Sequence, residues 1–167
     1  ENGNDFQIIK TGLTELITAF DDRRFEVIDP EVLEQSSEDQ EKMALAQESD
    51  FEEVVSELGV KYGAQYYVVF TLMASNTDRG KISEAQAIIN AKLYNIGTGK
   101  IISTIEGKAK KKYKKTTSGM DLMLNMKTAV GKATKQVKNK LVNSLIERLY
   151  EYAEDGAPML LRINVAK

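Results

Sequence analysis

Apolar residues recur every three or four positions at both ends of the chain and every second position in its middle, a pattern that predicts helices flanking a set of strands. Phe6, Ile9, Leu13, Leu16, Ile17 and Phe20 have the helical spacing, and Asn4 or Asp5 is placed to cap that helix. After a turn at 21–24, Phe25, Val27 and Ile28 read as a short strand. Asp29 and Pro30 then open a second helix, as N-cap and first helical residue. Positions 35–50 are polar and acidic. Ser49 and Glu52 fit a capping box ahead of the stripe Phe51, Val54, Val55 and Leu58, with Gly59 as the stop.

The middle predicts three strands. Tyr66, Val68, Phe70, Leu72 and Ala74 point one way, and Tyr67, Val69 and Met73 the other. Both faces are apolar, so this strand is expected at the centre of a sheet covered on two sides. Ala85, Ala87, Ile89, Ala91 and Leu93 alternate with Glu84, Gln86, Asn90 and Lys92, a one-sided pattern. Asn95, Ile96, Gly97, Thr98 and Gly99 form a tight turn, and Ile101, Ser103, Ile105, Gly107 and Ala109 carry the returning strand into a run of lysines.

Ser118 and Asp121 then suggest a capping box for the longest helix. Its stripe is Leu122, Met126, Val130, Ala133, Val137, Leu141, Leu145, Leu149 and Tyr152, with Gly131 as a point where it could bend. Residues 155–158 end it, and Met159, Leu161, Ile163 and Val165 alternate as a last strand.

The order of elements predicts an α/β (α+β) fold: a mixed sheet of about five strands flanked by helices on both faces. One domain is expected over 1–157. Residues 158–167 are its last strand, either completing the sheet or opening a following domain.

Composition removes much chemistry. The 167 residues include no Cys, His or Trp, which excludes disulfides, thiol nucleophiles, Ser-His mechanisms and histidine-ligated metals. Gly97, Thr98, Gly99 and Lys100 lack the earlier glycine and the following Ser or Thr of a phosphate loop, and they lie between two strands. The neighbouring carboxylates Asp21/Asp22 and Glu52/Glu53 do not converge as an acid/base pair must. No catalytic residue, cofactor or metal is expected.

Charge adds a direction. Residues 1–60 hold 17 acidic and 4 basic residues, and 61–167 hold 8 acidic and 19 basic. The basic stretch 100–140 contains 12 lysines and no arginine. Lys108, Lys110, Lys111, Lys112, Lys114 and Lys115, with Lys127, Lys135 and Lys138 on the long helix, form a candidate surface for a partner or an anion. Two readings stay open for it: a solvated face, and a face that meets an anionic partner such as nucleic acid, lipid head groups or an acidic protein surface.

Three stretches carry a family resemblance. Positions 24–33 (RFEVIDPEVL), 58–69 (LGVKYGAQYYVV) and 91–102 (AKLYNIGTGKII) resemble segments of a bacterial envelope family. That family includes the curli secretion lipoprotein CsgG, the penicillin-binding-protein activator LpoB, the N-terminal domain of TolB and a flagellar assembly protein. The resemblance spans roughly 6–152. It implies a non-enzymatic accessory domain for protein–protein interaction or assembly, in the periplasm and anchored to the outer membrane as a lipoprotein. Its implied partners are envelope proteins, with a homo-oligomer compatible. Membrane contact would come only through a lipid anchor outside this chain, and nucleic acid ranks behind protein.

Overall fold

The computed structural model describes residues 2–28, 51–114 and 120–156. In chain order they form α1 (Asn2–Asp21), α2 (Phe51–Lys61), β1 (Tyr66–Arg79), β2 (Ile82–Asn95), β3 (Ile101–Lys114) and α3 (Met120–Asp155). The strands make one antiparallel sheet in the order β1-β2-β3. The expectation of about five strands flanked by helices on both faces is therefore corrected to an α+β fold with a three-stranded sheet among the described residues. Three local differences from the sequence expectation accompany it.

Phe25, Val27 and Ile28 form no strand. Arg24 takes the left-handed conformation, φ 65°, and turns the chain back. The Phe25 N–H then donates to the Phe20 carbonyl at 3.2 Å, and the two rings meet edge to face at 5.8 Å. The turn and the ring contact thus hold Phe25, while Val27 stays exposed, in a segment whose composition favours a strand.

The second difference is the position of β1, which lies at an edge of the sheet rather than its centre. The central strand is β2, where Ser83, Ala85, Ala87, Ile89, Ala91 and Leu93 are buried on one face. The third concerns the end of α2. Gly59 does not stop that helix, which runs on to Lys61. Gly63, at φ 73°, supplies the left-handed residue, and the Ala64 N–H donates to the Gly59 carbonyl at 2.8 Å. Gly59 has another use, since a side chain there would collide with Ile96. The helix expected from Asp29, the caps at Ser49 and Ser118 and the strand over 159–165 lie outside the described residues.

The chain divides into two compact units. The first comprises Glu1–Val27, Val69–Lys92 and Thr104–Asn143. Here α1 and α3 run side by side in the same direction: Gln7 accepts from Lys127 at 3.2 Å, and Glu15 pairs with Lys138 at 3.5 Å. Small residues let these layers meet. A Cβ on Gly12 would stand 3.0 Å from the Phe70 ring and 3.3 Å from Thr134 and Val130. A Cβ on Gly107 would stand 2.5 Å from the Ala133 carbonyl oxygen, so β3 lies backbone against helix there. Val130, Ala133, Val137 and Leu141 of α3 are fully buried. The buried Thr134 hydroxyl is satisfied by the Val130 carbonyl at 2.9 Å. Truncating Leu141 to alanine would cost about 2–5 kcal/mol.

The second unit comprises Ile28–Val68, Leu93–Ser103 and Ser144–Lys167. Its hairpin turn is the one expected at 95–99. The Asn95 side chain accepts from the Thr98 backbone N–H at 2.9 Å and from its hydroxyl at 3.0 Å, and Gly99 takes φ 66°. Tyr67 stacks face to face on Tyr94, with ring centroids 4.7 Å apart. Burial, followed by the neighbouring Tyr152, raises the Tyr66 phenol above its ordinary value, while a hydrogen bond with Asn95 works against this. Gly156, at φ 86°, ends α3 where the sequence predicts.

Candidate functional site

The sheet of the first unit has two unlike faces. Alternate residues of a strand point to opposite sides. Ile105, Gly107 and Ala109 of β3 face α3, so Glu106, Lys108, Lys110, Lys112 and Lys114 stand on the other, outer face and are exposed. Glu84, Gln86, Ile88 and Asn90 of β2 share that face, half-buried, with Val69, Thr71 and Met73 of β1. Among the described residues of this unit, the helices pack on the opposite side only.

Four of the nine lysines singled out from the sequence therefore fall in one row. Lys108, Lys110, Lys112 and Lys114 occupy every second position, roughly 6.7 Å apart along the strand. Two carboxylates are set among them. Lys110 Nζ donates to Glu84 Oε1 at 3.1 Å, and Lys108 Nζ pairs with Glu106 at 2.8 Å. The Lys110 hydrogen bond holds the Glu84 carboxyl below the usual carboxylate range, helped by the charges of Lys110, Lys112 and Arg79 and opposed by burial.

The other five lysines are elsewhere. Lys111 is half-buried and lies on the helix side of β3. Lys127 and Lys138 face α1, where Gln7 and Glu15 hold them. Lys135 is exposed on α3, and Lys115 lies outside the described residues. Sequence spacing places Lys127, Lys135 and Lys138 in one sector of the helix, but it does not show that α1 occupies part of that sector.

Sequence reading missed Gln136. Its Oε1 accepts the Lys108 backbone N–H at 3.1 Å, and its Nε2 donates to the Lys108 carbonyl at 3.0 Å. This fixes the lysine row to the helix behind it. The available signal was weak: an uncharged amide beside Val137 in a helix otherwise rich in lysine. A second polar group sits at the β1–β2 turn. There the buried Ser83 hydroxyl donates to Asp78 at 2.5 Å, and Tyr113 donates to Asn76 at 3.0 Å.

Other features offer little chemistry. Gly97, Thr98, Gly99 and Lys100 close a strand-to-strand hairpin. Asp21 and Asp22 are exposed at the end of α1. A cavity of about 210 Å³ is lined by Ala19, Asp22, Arg23, Lys138, Asn139, Val142 and Asn143. Among the described residues, no group of three or more Asp and Glu stands close enough to hold a metal ion, and no helix is long and apolar enough to cross a membrane.

No family model matches the chain, and no curated protein matches it. Among solved structures, a "putative lipoprotein" from Caulobacter crescentus overlaps 51% of this chain and 70% of its own, with a TM-score of 0.42 and 11% identity.

Proposed function

We propose that this chain is a non-enzymatic accessory domain of the bacterial cell envelope, carried by a lipoprotein, that works by docking another protein on the outer face of its sheet. The observation that carries the docking reading is the row Lys108, Lys110, Lys112 and Lys114, displayed at strand spacing on a sheet braced by helices from behind. Rigid placement matters because a braced strand orients the lysines with no backbone ordering cost, leaving only that of their side chains. Val69, Met73 and Ile88 on the same face add aliphatic contact. A protein surface can use both features, whereas single-stranded nucleic acid gains most from stacking aromatics. The envelope location rests on the sequence resemblance at 24–33, 58–69 and 91–102.

The test is affinity capture from an envelope lysate at about 0.15 M salt and at several-fold higher salt, read for both protein and nucleic acid. The bait is the chain and its K110E/K112E/K114E variant. Docking predicts a defined envelope protein that the variant loses and that Lys135→Glu keeps. Nucleic acid that vanishes as salt rises would overturn the reading in favour of a polyanion track.

A further inference from the structure

The two edges of the sheet are built differently. At one edge, β3 carries Lys108, Lys110, Lys111, Lys112 and Lys114, and the Gln136 amide occupies the backbone groups of Lys108. Charged side chains and a covered backbone are the usual devices that stop an edge strand from pairing with another chain. At the other edge, β1 has no charged residue over 66–77. Thr71 and every residue from Met73 to Arg79 are exposed, Met73 at 54%. Among the described residues β1 has a strand neighbour, β2, on one side only. Over 71–77 the edge is uncharged and, apart from Leu72, exposed, and such an edge is a template for strand addition.

We propose that this edge is a self-association surface, on which β1 pairs antiparallel with β1 of a second copy across a two-fold axis. Three points select a second copy in this arrangement. Pairing of β1 with itself brings no like charges together over 66–77 and, with the two-fold axis at Met73, sets Thr71 of each copy opposite Ser75 of the other as a cross-strand hydroxyl pair. Head-to-tail pairing of β1 with a second copy's β3 would need the edge that the lysines and Gln136 obstruct, and it would propagate without closing. In the two-fold arrangement the two lysine rows end up five strand spacings apart, roughly 24 Å. That exceeds the screening length of about 8 Å at physiological salt, so their repulsion does not oppose assembly. The outer face that carries the lysines stays open in the dimer, so the inference stands independently of the docking reading.

The absence of cysteine makes the test direct. Thr71→Cys, Met73→Cys, Ser75→Cys and Thr77→Cys each introduce one thiol at an exposed position. Sedimentation gives the mass of the unmodified chain, and mild oxidation gives the disulfide yield of each variant. The proposal predicts a dimer and a yield that peaks at one position, nearest the two-fold axis, and falls on both sides. Met73→Lys with Ser75→Lys sets like charges across the axis and weakens the dimer by about tenfold or more, with an unchanged circular dichroism spectrum. A chain that stays monomeric at its highest soluble concentration would overturn the proposal. So would a dimer whose crosslinking is flat along β1 and unaffected by the two lysines.

Discussion

The side chain of Gln136 does for Lys108 what a neighbouring strand would do. Its amide accepts the Lys108 N–H at 3.1 Å and donates to the Lys108 carbonyl at 3.0 Å, reproducing the paired bonds of an antiparallel ladder from a helix. Asparagine is one methylene too short to keep this geometry, and glutamate can accept but not donate.

Replacing Gln136 with leucine removes both bonds and frees the β3 edge. The expected loss is about 1–2 kcal/mol of stability, with faster hydrogen exchange at the Lys108 amide. Gln136→Glu keeps the acceptor and falls between wild type and leucine. Chemical denaturation with exchange read by NMR checks both. Unchanged exchange at Lys108 in the leucine variant would contradict the role given to Gln136.

At Gly107 the backbone of β3 lies against α3. A methyl group there would meet the Ala133 carbonyl oxygen at 2.5 Å and Val137 Cγ2 at 2.7 Å. Gly107→Ala is expected to cost about 3 kcal/mol, because backbone and a β-branched side chain cannot both withdraw. Gly97→Ala is the control, since its nearest neighbour would be Asn95 Oδ1 at 3.5 Å, and it should stay within about 0.5 kcal/mol of wild type. Thermal denaturation of the two variants side by side decides the point.

The pairing of Glu84 with Lys110 should appear in the acid limb of the stability curve. The folded-state carboxyl is held below its ordinary value, chiefly by the Lys110 hydrogen bond. A depressed value means that the unfolded chain takes up the proton first. The contribution is therefore complete above the ordinary carboxylate value of about 4.3 and is lost as pH falls through the lower folded value. Glu84→Gln should match wild type at the acid end and fall below it as pH rises toward neutrality. A constant difference between the two across the acid range would contradict the assignment.

These features differ in how far the sequence announces them. Glu84, Gln86 and Asn90 alternate with buried Ala85, Ala87, Ile89 and Ala91, so β2 and its inward face are legible from periodicity alone. The stripe from Met126 to Leu145 marks α3, and Asn95, Thr98 and Gly99 mark the hairpin, because each is a short-range rule. The rank of β1 in the sheet is not short-range. Its apolar residues on both faces resemble a central strand, yet Tyr67 uses the outer face to stack on Tyr94, while Met73 stays exposed. The lysines were visible as a run, but their division into an outer row and a set facing α1 depends on packing between elements distant in the chain. The Lys108–Gln136 bonds span 28 positions, which no local pattern reports.

Site-specific photo-crosslinking in cells tests docking on the outer face of the sheet most directly. A photoreactive residue would be placed at Lys112 on the outer face and, separately, at Lys135 on α3. Docking on the sheet predicts one discrete protein adduct from position 112, lost when Lys110 and Lys114 are changed to glutamate, and no such adduct from position 135. An adduct with nucleic acid at 112, or equal protein adducts from both positions, would contradict the account.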